Sequence, residues 1–331
     1  MLTRRLALDL ISRLSHTAGV LELSRTLGFN AHPAALDAQG VEALGLPTTD
    51  TLPHLAIGRG ALRALLVIAP SGQSLRPFVA KLAQRLISRA PHQLWLLIAV
   101  RADGGEGAIA TGQPIEGRGR ICALVVDPHR PLESDAETLM AMVAAHEGDS
   151  ATPDALLHTR WSEILGRDAL SHRFYRALER GVVALGEGAR GSAPPDARRA
   201  LALLATSRLV FLSFLQGKGW LNGDADFLAH RVDSVLSNGG DVERRLFHPL
   251  FFGTLNTPPP QRASMARAFG HVPFLNGGLF ARSPLERRYG SLRFRDEEIA
   301  ALFDDVLTRY RFTAREERQE WSEAAIDPEM L

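Results

Sequence analysis

The sequence predicts an α/β domain, a small mixed sheet carrying helices, followed by an all-α region. Three observations carry that expectation. Continuous apolar runs alternate with helix-period segments up to residue 145, a polar Gly/Pro-bearing stretch interrupts the chain at 147–154, and the apolar period is helical from there on. The expected domains are therefore 1–150 and 151–331.

Residues 2–28 read as helical, with Leu6, Leu10 and Leu14 on one face and Leu21, Leu23 and Leu27 beyond the Thr17-Ala-Gly interruption. Residues 29–60 read as irregular because His32-Pro33, Pro47 and Pro53 punctuate them. Ala64–Ala69 is a continuous apolar run, the mark of a strand covered on both faces. Leu75–Ala90 has helical period, with Phe78, Val79, Leu82 and Leu86 inward and Arg76, Arg85 and Arg89 outward. Leu94–Val100, Glu106–Thr111 and Ile121–Val126 read as further strands, the last stopped by Asp127-Pro128. Ser134–Ala145 reads as a helix with Asp135 and Glu137 in its first turn, where carboxylates favour the helix dipole.

Beyond 147–154 the helices expected are Trp161–Leu165, Ser171–Gly186, Ala197–Gln216 with Asp196 as N-cap, Asp224–Ser237, Ser264–Phe269 and Asp296–Tyr310. The last is amphipathic, with Ile299, Leu302, Phe303, Val306 and Leu307 inward.

Composition bounds the function. A hydrophobic share of 45% with 23% charged residues is that of a globular domain. The net charge of +1 gives no overall field toward nucleic acid, so any basic surface has to be local. The cations are arginines except for Lys81 and Lys218. A single cysteine, Cys122, excludes an internal disulfide framework and a cysteine-based zinc site within one chain. The N-terminal segment lacks the pattern of a signal peptide, and no uninterrupted apolar run reaches about 18 residues. A cytoplasmic protein with no membrane partner is expected.

The stretch His271-Val-Pro-Phe-Leu-Asn-Gly-Gly-Leu-Phe280 reads as a tight turn. Asn276, Gly277 and Gly278 reach left-handed conformations cheaply, and Phe274, Leu275, Leu279 and Phe280 are expected to plug a core on either side. This stretch, an acidic amphipathic helix, Tyr310-Arg-Phe-Thr313 and then Ile326-Asp327-Pro328-Glu329-Met330-Leu331 follow in order. So do Leu204-Ala-Thr-Ser-Arg-Leu-Val-Phe-Leu-Ser-Phe-Leu-Gln-Gly-Lys-Gly-Trp-Leu221 and Phe251-Phe-Gly-Thr-Leu-Asn256. Over roughly residues 160–331 this ordered set resembles the type IIG restriction–modification proteins, large polypeptides with an adenine-specific DNA methyltransferase. In that family such strings lie just upstream of the methyltransferase domain. The resemblance implies a restriction-nuclease-like first domain, a helical connector, double-stranded DNA and a downstream methyltransferase domain or subunit as partners. It also implies S-adenosylmethionine as cofactor of the full-length protein, with none in this chain.

The nuclease chemistry of that family places an Asp on one strand and an acid-X-Lys on the next, so that carboxylates hold Mg²⁺. Ala64–Ala69 and Leu94–Val100 contain no acid and no lysine, and Asp103, Glu106, Glu116 and Asp127 fall in loops or past strand ends. The first domain is therefore expected to be catalytically degenerate, with no metal site. Gly104-Gly-Glu-Gly107 lacks the ending of a phosphate loop. Methyl transfer needs a Gly-rich donor loop, which the chain lacks, and an Asn/Asp-Pro-Pro-aromatic string. Asn256-Thr-Pro-Pro259 only echoes the latter and reads as a loop.

Binding is what remains. Arg208, Lys218, Arg282, Arg287, Arg288, Arg293 and Arg295 bracket the shared strings and are the candidate DNA contacts. Arg287-Arg288-Tyr289 with Arg293-Phe-Arg295 has the basic–aromatic interleaving of a backbone-tracking surface. Lys218-Gly219-Trp220 is expected to seal a helix end, with Trp220 capping the core. The function expected is the N-terminal part of an adenine-N6 methyltransferase or restriction–modification protein that supplies scaffold and DNA-path contacts. The alternatives are a stand-alone module docking a separate methyltransferase or phage-defence subunit, and a Mg-dependent DNA endonuclease.

Overall fold

The computed structural model describes residues 2–47, 50–115, 118–148, 152–275, 277–313 and 321–326. The chain divides into two compact units, one made of Met1–Ser171 with Glu317–Ile326 and the other of His172–Glu316 with Asp327–Leu331.

Unit one is an α/β fold. Its elements in order are α1 (Arg4–Ser12), α2 (Thr17–Thr26), β1 (Ala34–Ala35), α3 (Ala38–Ala43), β2 (His54–Ile57), β3 (Leu62–Ala69), α4 (Leu75–Arg89), β4 (Leu94–Arg101), β5 (Gly107–Ile115), β6 (Arg118–Val126), α5 (Glu133–Glu147), α6 (Asp154–Leu165) and β7 (Trp321–Glu323). The seven strands lie in sequence order across one mixed sheet. β3 and β4 run parallel, joined by α4 as the crossover, and β6 and β7 are also parallel; the other neighbours are antiparallel. The mixed sheet with helices expected from the sequence is thus present.

The apolar runs are continuous because the sheet is covered on both faces. Ala64, Leu66, Leu96, Ile98, Ile109 and Leu124 point into a core shared with α1, α2, α5 and α6. Their neighbours Leu65, Val67, Leu97, Ala99, Ala110 and Ala123 point the other way, against Leu75, Phe78, Val79, Leu82 and Leu86 of α4. Alternation of side chains along each strand turns one apolar run into two interfaces. Each Leu, Ile or Val buried this way contributes about 1.5–3 kcal/mol relative to exposure. Residues 147–154 connect α5 to α6, and α6 still carries Leu157, Trp161 and Leu165 into the sheet core. Polar bonds fix α6 in register: Trp161 Nε1 donates to Met142 O (3.0 Å), Ser162 Oγ to Thr111 Oγ1 (2.9 Å), and His158 Nε2 to Trp95 O (3.0 Å).

Three short elements, β1, β2 and α3, occupy the 29–60 stretch that reads as irregular in sequence, and β7 was not expected at all. Pairing supplies what propensity does not: Leu55 lies opposite Leu65, and Ser322 opposite Cys122. Cys122 is buried, in line with its reading as a small apolar side chain.

Unit two is helical. It contains most of α7 (Arg167–Gly188), then α8 (Pro195–Gly217), α9 (Phe227–Ser237), α10 (Ser264–Arg267), α11 (Pro284–Arg288) and α12 (Asp296–Leu302). α8 starts at Pro195 rather than after an Asp196 cap: proline suits the first helical position because its missing N–H is unneeded there. By length and composition α8 could cross a membrane, but most of its apolar stretch is buried inside the unit, as in the core helix of a globular domain. Its end is a Schellman closure, with Gly219 at φ +75°, Gly219 N donating to Gln216 O (2.8 Å) and Trp220 N to Leu215 O (3.0 Å).

Two π-helical segments, Glu243–Phe247 and Pro249–Leu255, follow α9, and a third, Phe303–Leu307, continues α12. Leu246 and Phe247, Leu250 and Phe251, then Thr254 and Leu255 are buried, pairs that recur every four residues along the inward face. The inward set Ile299, Leu302, Phe303, Val306 and Leu307 is buried as the sequence predicts, although the last three sit on π rather than α backbone.

Candidate functional site

The candidate site lies in unit two and begins with Arg208. An arginine on an apolar helix face ordinarily snorkels to solvent, but Arg208 is 2% exposed. Its Nε donates to Leu279 O (2.7 Å) and its Nη2 to Ala281 O (3.0 Å), while Nη1 and Nη2 clasp the Glu286 carboxylate at 2.5 and 3.0 Å. Its guanidinium also sits 5.4 Å from the ring centres of both Phe251 and Phe252. One side chain therefore joins three strings far apart in sequence: the α8 string, Phe251–Asn256 and the turn ending at Phe280. Phe280 packs between Phe211 and Phe251, with ring centres 5.9 and 5.7 Å away, and Leu275 N donates to Leu255 O (2.7 Å).

Around this staple opens a cleft whose wall includes Phe247, His248, Phe251 and Phe252 from the π-helical stretch and Arg282, Tyr289 and Arg293 from the residues around and just beyond α11. Its acids are already engaged. Burial alone would push the Glu286 carboxyl up, but the bonds from Arg208 and Ser283 outweigh it and hold the group below its ordinary range. Ser283 and Glu286 form a reciprocal capping box at the start of α11. Glu243 accepts from Phe294 N (2.9 Å) and lies 3.3 Å from His248 Nε2.

The cations are less engaged. Arg282 lies over the Phe252 ring at 4.5 Å, and Arg288 over the Tyr289 ring at 5.5 Å. Among the described residues neither has an ion pair or a hydrogen bond from its guanidinium. Arg287 is exposed. Arg293 is fixed by its backbone, which pairs with Arg190 (2.7 and 2.8 Å), and its exposed side chain rests on the carbonyls of Gly290 and Leu292. Arg282, Arg287, Arg288 and Arg293 thus form an exposed arginine arc, of which Arg282 and Arg293 line the cleft.

Other candidate residues are placed differently. Arg208 cannot reach a phosphate, because burial and four bonds consume its donors. Arg295 is half-buried and pairs with Glu298 at the start of α12. Lys218 is exposed at the end of α8, its Nζ 5.2 Å from the Trp220 ring. Trp220 does not cap the core: it is 53% exposed, and Leu221 fills the interior instead, because the Schellman turn points residue 220 outward. In the turn itself Phe280 is buried but Phe274 is 38% exposed, so only one flank plugs a core. Gly277 has extended backbone (φ −136°, ψ 154°), and Gly278 opens a 3₁₀ turn; neither takes the left-handed conformation expected. Asn276, Asp327, Pro328 and Glu329 lie outside the described residues.

Among the described residues no group of three or more His, Cys, Asp or Glu side chains is arranged to hold an ion. In unit one acids meet arginines: Arg76 binds both oxygens of Glu323 (2.6 and 2.7 Å) and lies 3.5 Å from Glu106, while Arg101 contacts Asp103 (2.6 Å) and Glu106 (3.1 Å). These carboxylates are charge-matched by guanidinium groups, so Mg²⁺-dependent cleavage does not fit them. Glu116 lies outside the described residues. Asn256-Thr-Pro-Pro259 closes the second π-helical segment, with Asn256 N bonded to Phe251 O (3.1 Å), and leads into a 3₁₀ turn.

Sequence reading missed Glu286, Glu243, His248 and Phe252 as cleft residues. The Ser283-Pro-Leu-Glu286 pattern was the available signal, since a capping box fixes the glutamate's direction.

No protein-family model matches the chain, and no solved structure matches it. A protein of Methanocaldococcus jannaschii, provisionally named a type II restriction enzyme and methyltransferase, is 31% identical over 150 residues. That match covers 42% of this chain and 12% of the relative's length. Part of the chain is therefore related to a restriction–modification protein.

Proposed function

We propose that the chain is the N-terminal part of an adenine-specific restriction–modification protein, and that it works in the cytoplasm as scaffold and DNA grip rather than as catalyst. The observation that carries this reading is the exposed arc of Arg282, Arg287, Arg288 and Arg293 beside a cleft in which the Glu286 carboxylate is matched by Arg208. Exposed guanidinium groups meet phosphates in bidentate fashion and release counterions as they do so. The similarity to a type II restriction enzyme and methyltransferase supports the same direction.

In this reading a methyltransferase domain or subunit binds S-adenosylmethionine and takes the target adenine out of the stack, while this chain positions the duplex. Unit one, nuclease-like in its alternation of strands and helices, contributes shape without a metal.

Fluorescence anisotropy with a labelled duplex tests the reading. With about three phosphates contacted, affinity is expected to fall roughly 40-fold between about 50 and 200 mM salt. Replacing the four arc arginines by glutamine is expected to flatten that dependence. Duplex affinity that ignores both salt and these substitutions contradicts the reading, as does methyl transfer by the chain alone.

A further inference from the structure

We propose that the cleft receives an unpaired nucleotide of a DNA strand, its base stacking on Phe252 or Tyr289 and its phosphate taken by Arg282 and Arg288. This rests on the DNA-grip reading and narrows it, because a regular duplex uses an arginine rim but not recessed rings.

Phe252 is half-buried in the cleft wall and is held from behind by Arg208 and from the side by His248, 5.5 Å between ring centres. Phe251 packs against it edge-on at 6.4 Å, and the Arg282 guanidinium, which among the described residues has no ion pair or hydrogen bond, lies over the ring at 4.5 Å. Tyr289 with Arg288 repeats the arrangement on the same cleft. A displaceable cation lying on each ring is a compact way to keep an aromatic face wettable until a better stacking partner arrives. A nucleobase is such a partner, since base–aromatic stacking outweighs an exposed cation–π contact. The cation it displaces stays within reach of the attached phosphate. Because the Glu286 charge is matched by Arg208, it repels that phosphate less than a free carboxylate would. Bases inside a duplex are stacked on each other and cannot enter, so the ligand is a splayed-out or single-stranded nucleotide.

The test compares a labelled single strand of about 12 nucleotides with the hairpin duplex of the same sequence, on the wild-type chain and on Phe252→Leu and Tyr289→Leu. Leucine keeps apolar volume and removes the π face, and Tyr289, at the cleft surface, is separable from folding; circular dichroism checks both variants. Each variant is expected to weaken single-strand binding about fivefold or more while changing duplex binding less than about twofold. Equal losses on both ligands overturn the proposal. Duplex binding without single-strand binding overturns it too, leaving the grip reading in place. Absence of binding to either ligand removes the grip reading along with it.

Discussion

Arg208 and Glu286, 78 positions apart, form a bidentate ion pair whose guanidinium is almost wholly sealed from solvent. A buried pair of this kind contributes little net stability against apolar residues of equal volume, yet breaking it on one side leaves an unmatched buried charge. The carbonyls of Leu279 and Ala281 lose their donor in the same stroke. Arg208→Met is therefore expected to destabilise unit two by about 3–5 kcal/mol, and Arg208→Met with Glu286→Met to recover a large part of that. Urea unfolding of the four members of the cycle measures it. Additive losses in the double variant would show that the pair is not coupled.

The glycines of the conspicuous turn allow a sharper test. Gly277 has extended backbone, and an added Cβ would meet nothing within 4 Å. Gly277→Ala is expected to shift stability by less than about 0.5 kcal/mol. Gly270, six residues before residue 276, is the opposite case: φ is +78° and a Cβ would stand 2.2 Å from Asn222 Oδ1, the atom that accepts from His271 N. Gly270→Ala is expected to cost more than about 1 kcal/mol through strain and the lost bond. Thermal melts of the two variants decide, and equal melting temperatures would contradict the geometry.

How much of this was legible in the sequence follows from what each feature depends on. β3 and β4 announced themselves because a strand buried on both faces needs apolar residues at every position, and α4 because its inward side chains keep a regular period. β7 has three residues and owes its place to pairing with β6, so nothing local marks it. Phe303–Leu307 was read as part of an α-helix because its inward side chains Phe303, Val306 and Leu307 suit either winding. Arg208 looked like a surface cation because its partner Glu286 is distant and its carbonyl acceptors carry no side-chain signature. Trp220 was misplaced for a backbone reason: Gly219 turns left-handed and swings the ring out. Of the seven cations picked out in sequence, Arg282, Arg287, Arg288 and Arg293 are exposed within a stretch of short elements, while Arg208 is buried and Arg295 is paired with Glu298.

Acid sensitivity should come first from unit one. Burial lowers the pKa of His158 below 6.5, the bond to Trp95 opposing it only in part, and burial with the charge of Arg59 lowers that of His146. Below 6.5 the unfolded chain takes up protons that the folded chain refuses, so stability present above that pH is lost as pH falls through the folded values. Urea unfolding at about pH 7 and pH 5 should show the loss, and His158→Gln should reduce it. Glu286, whose pKa is lowered from 4.5, acts in a separate, more acid window, losing its contribution as pH falls below that value. A pH 7-to-5 difference unchanged in His158→Gln would exclude His158 as a source.

The last expectation concerns Arg76 and Glu323, which clamp β7 to α4. Glu323 is 8% exposed and both its oxygens face Arg76, whose guanidinium is held charged by Glu323 and Glu106 against the cost of burial. Besides this clamp, β7 has a three-residue parallel pairing with β6, continued by the bond from Ala324 N to Ala123 O (2.8 Å). So short an edge strand opens locally far more easily than the sheet interior, and opening must break the ion pair together with the bond from Arg167 N to Ser322 Oγ (3.1 Å). Arg76→Met leaves Glu323 with no charge partner at hydrogen-bond distance in a nearly closed site and favours the open form. Amide exchange at Ala324 is then expected to accelerate roughly tenfold or more, while the amides of β3 and β4 keep their protection. Acceleration spread evenly over the sheet would mean that Arg76 supports the whole unit, and an unchanged rate at Ala324 would mean that strand pairing alone holds β7.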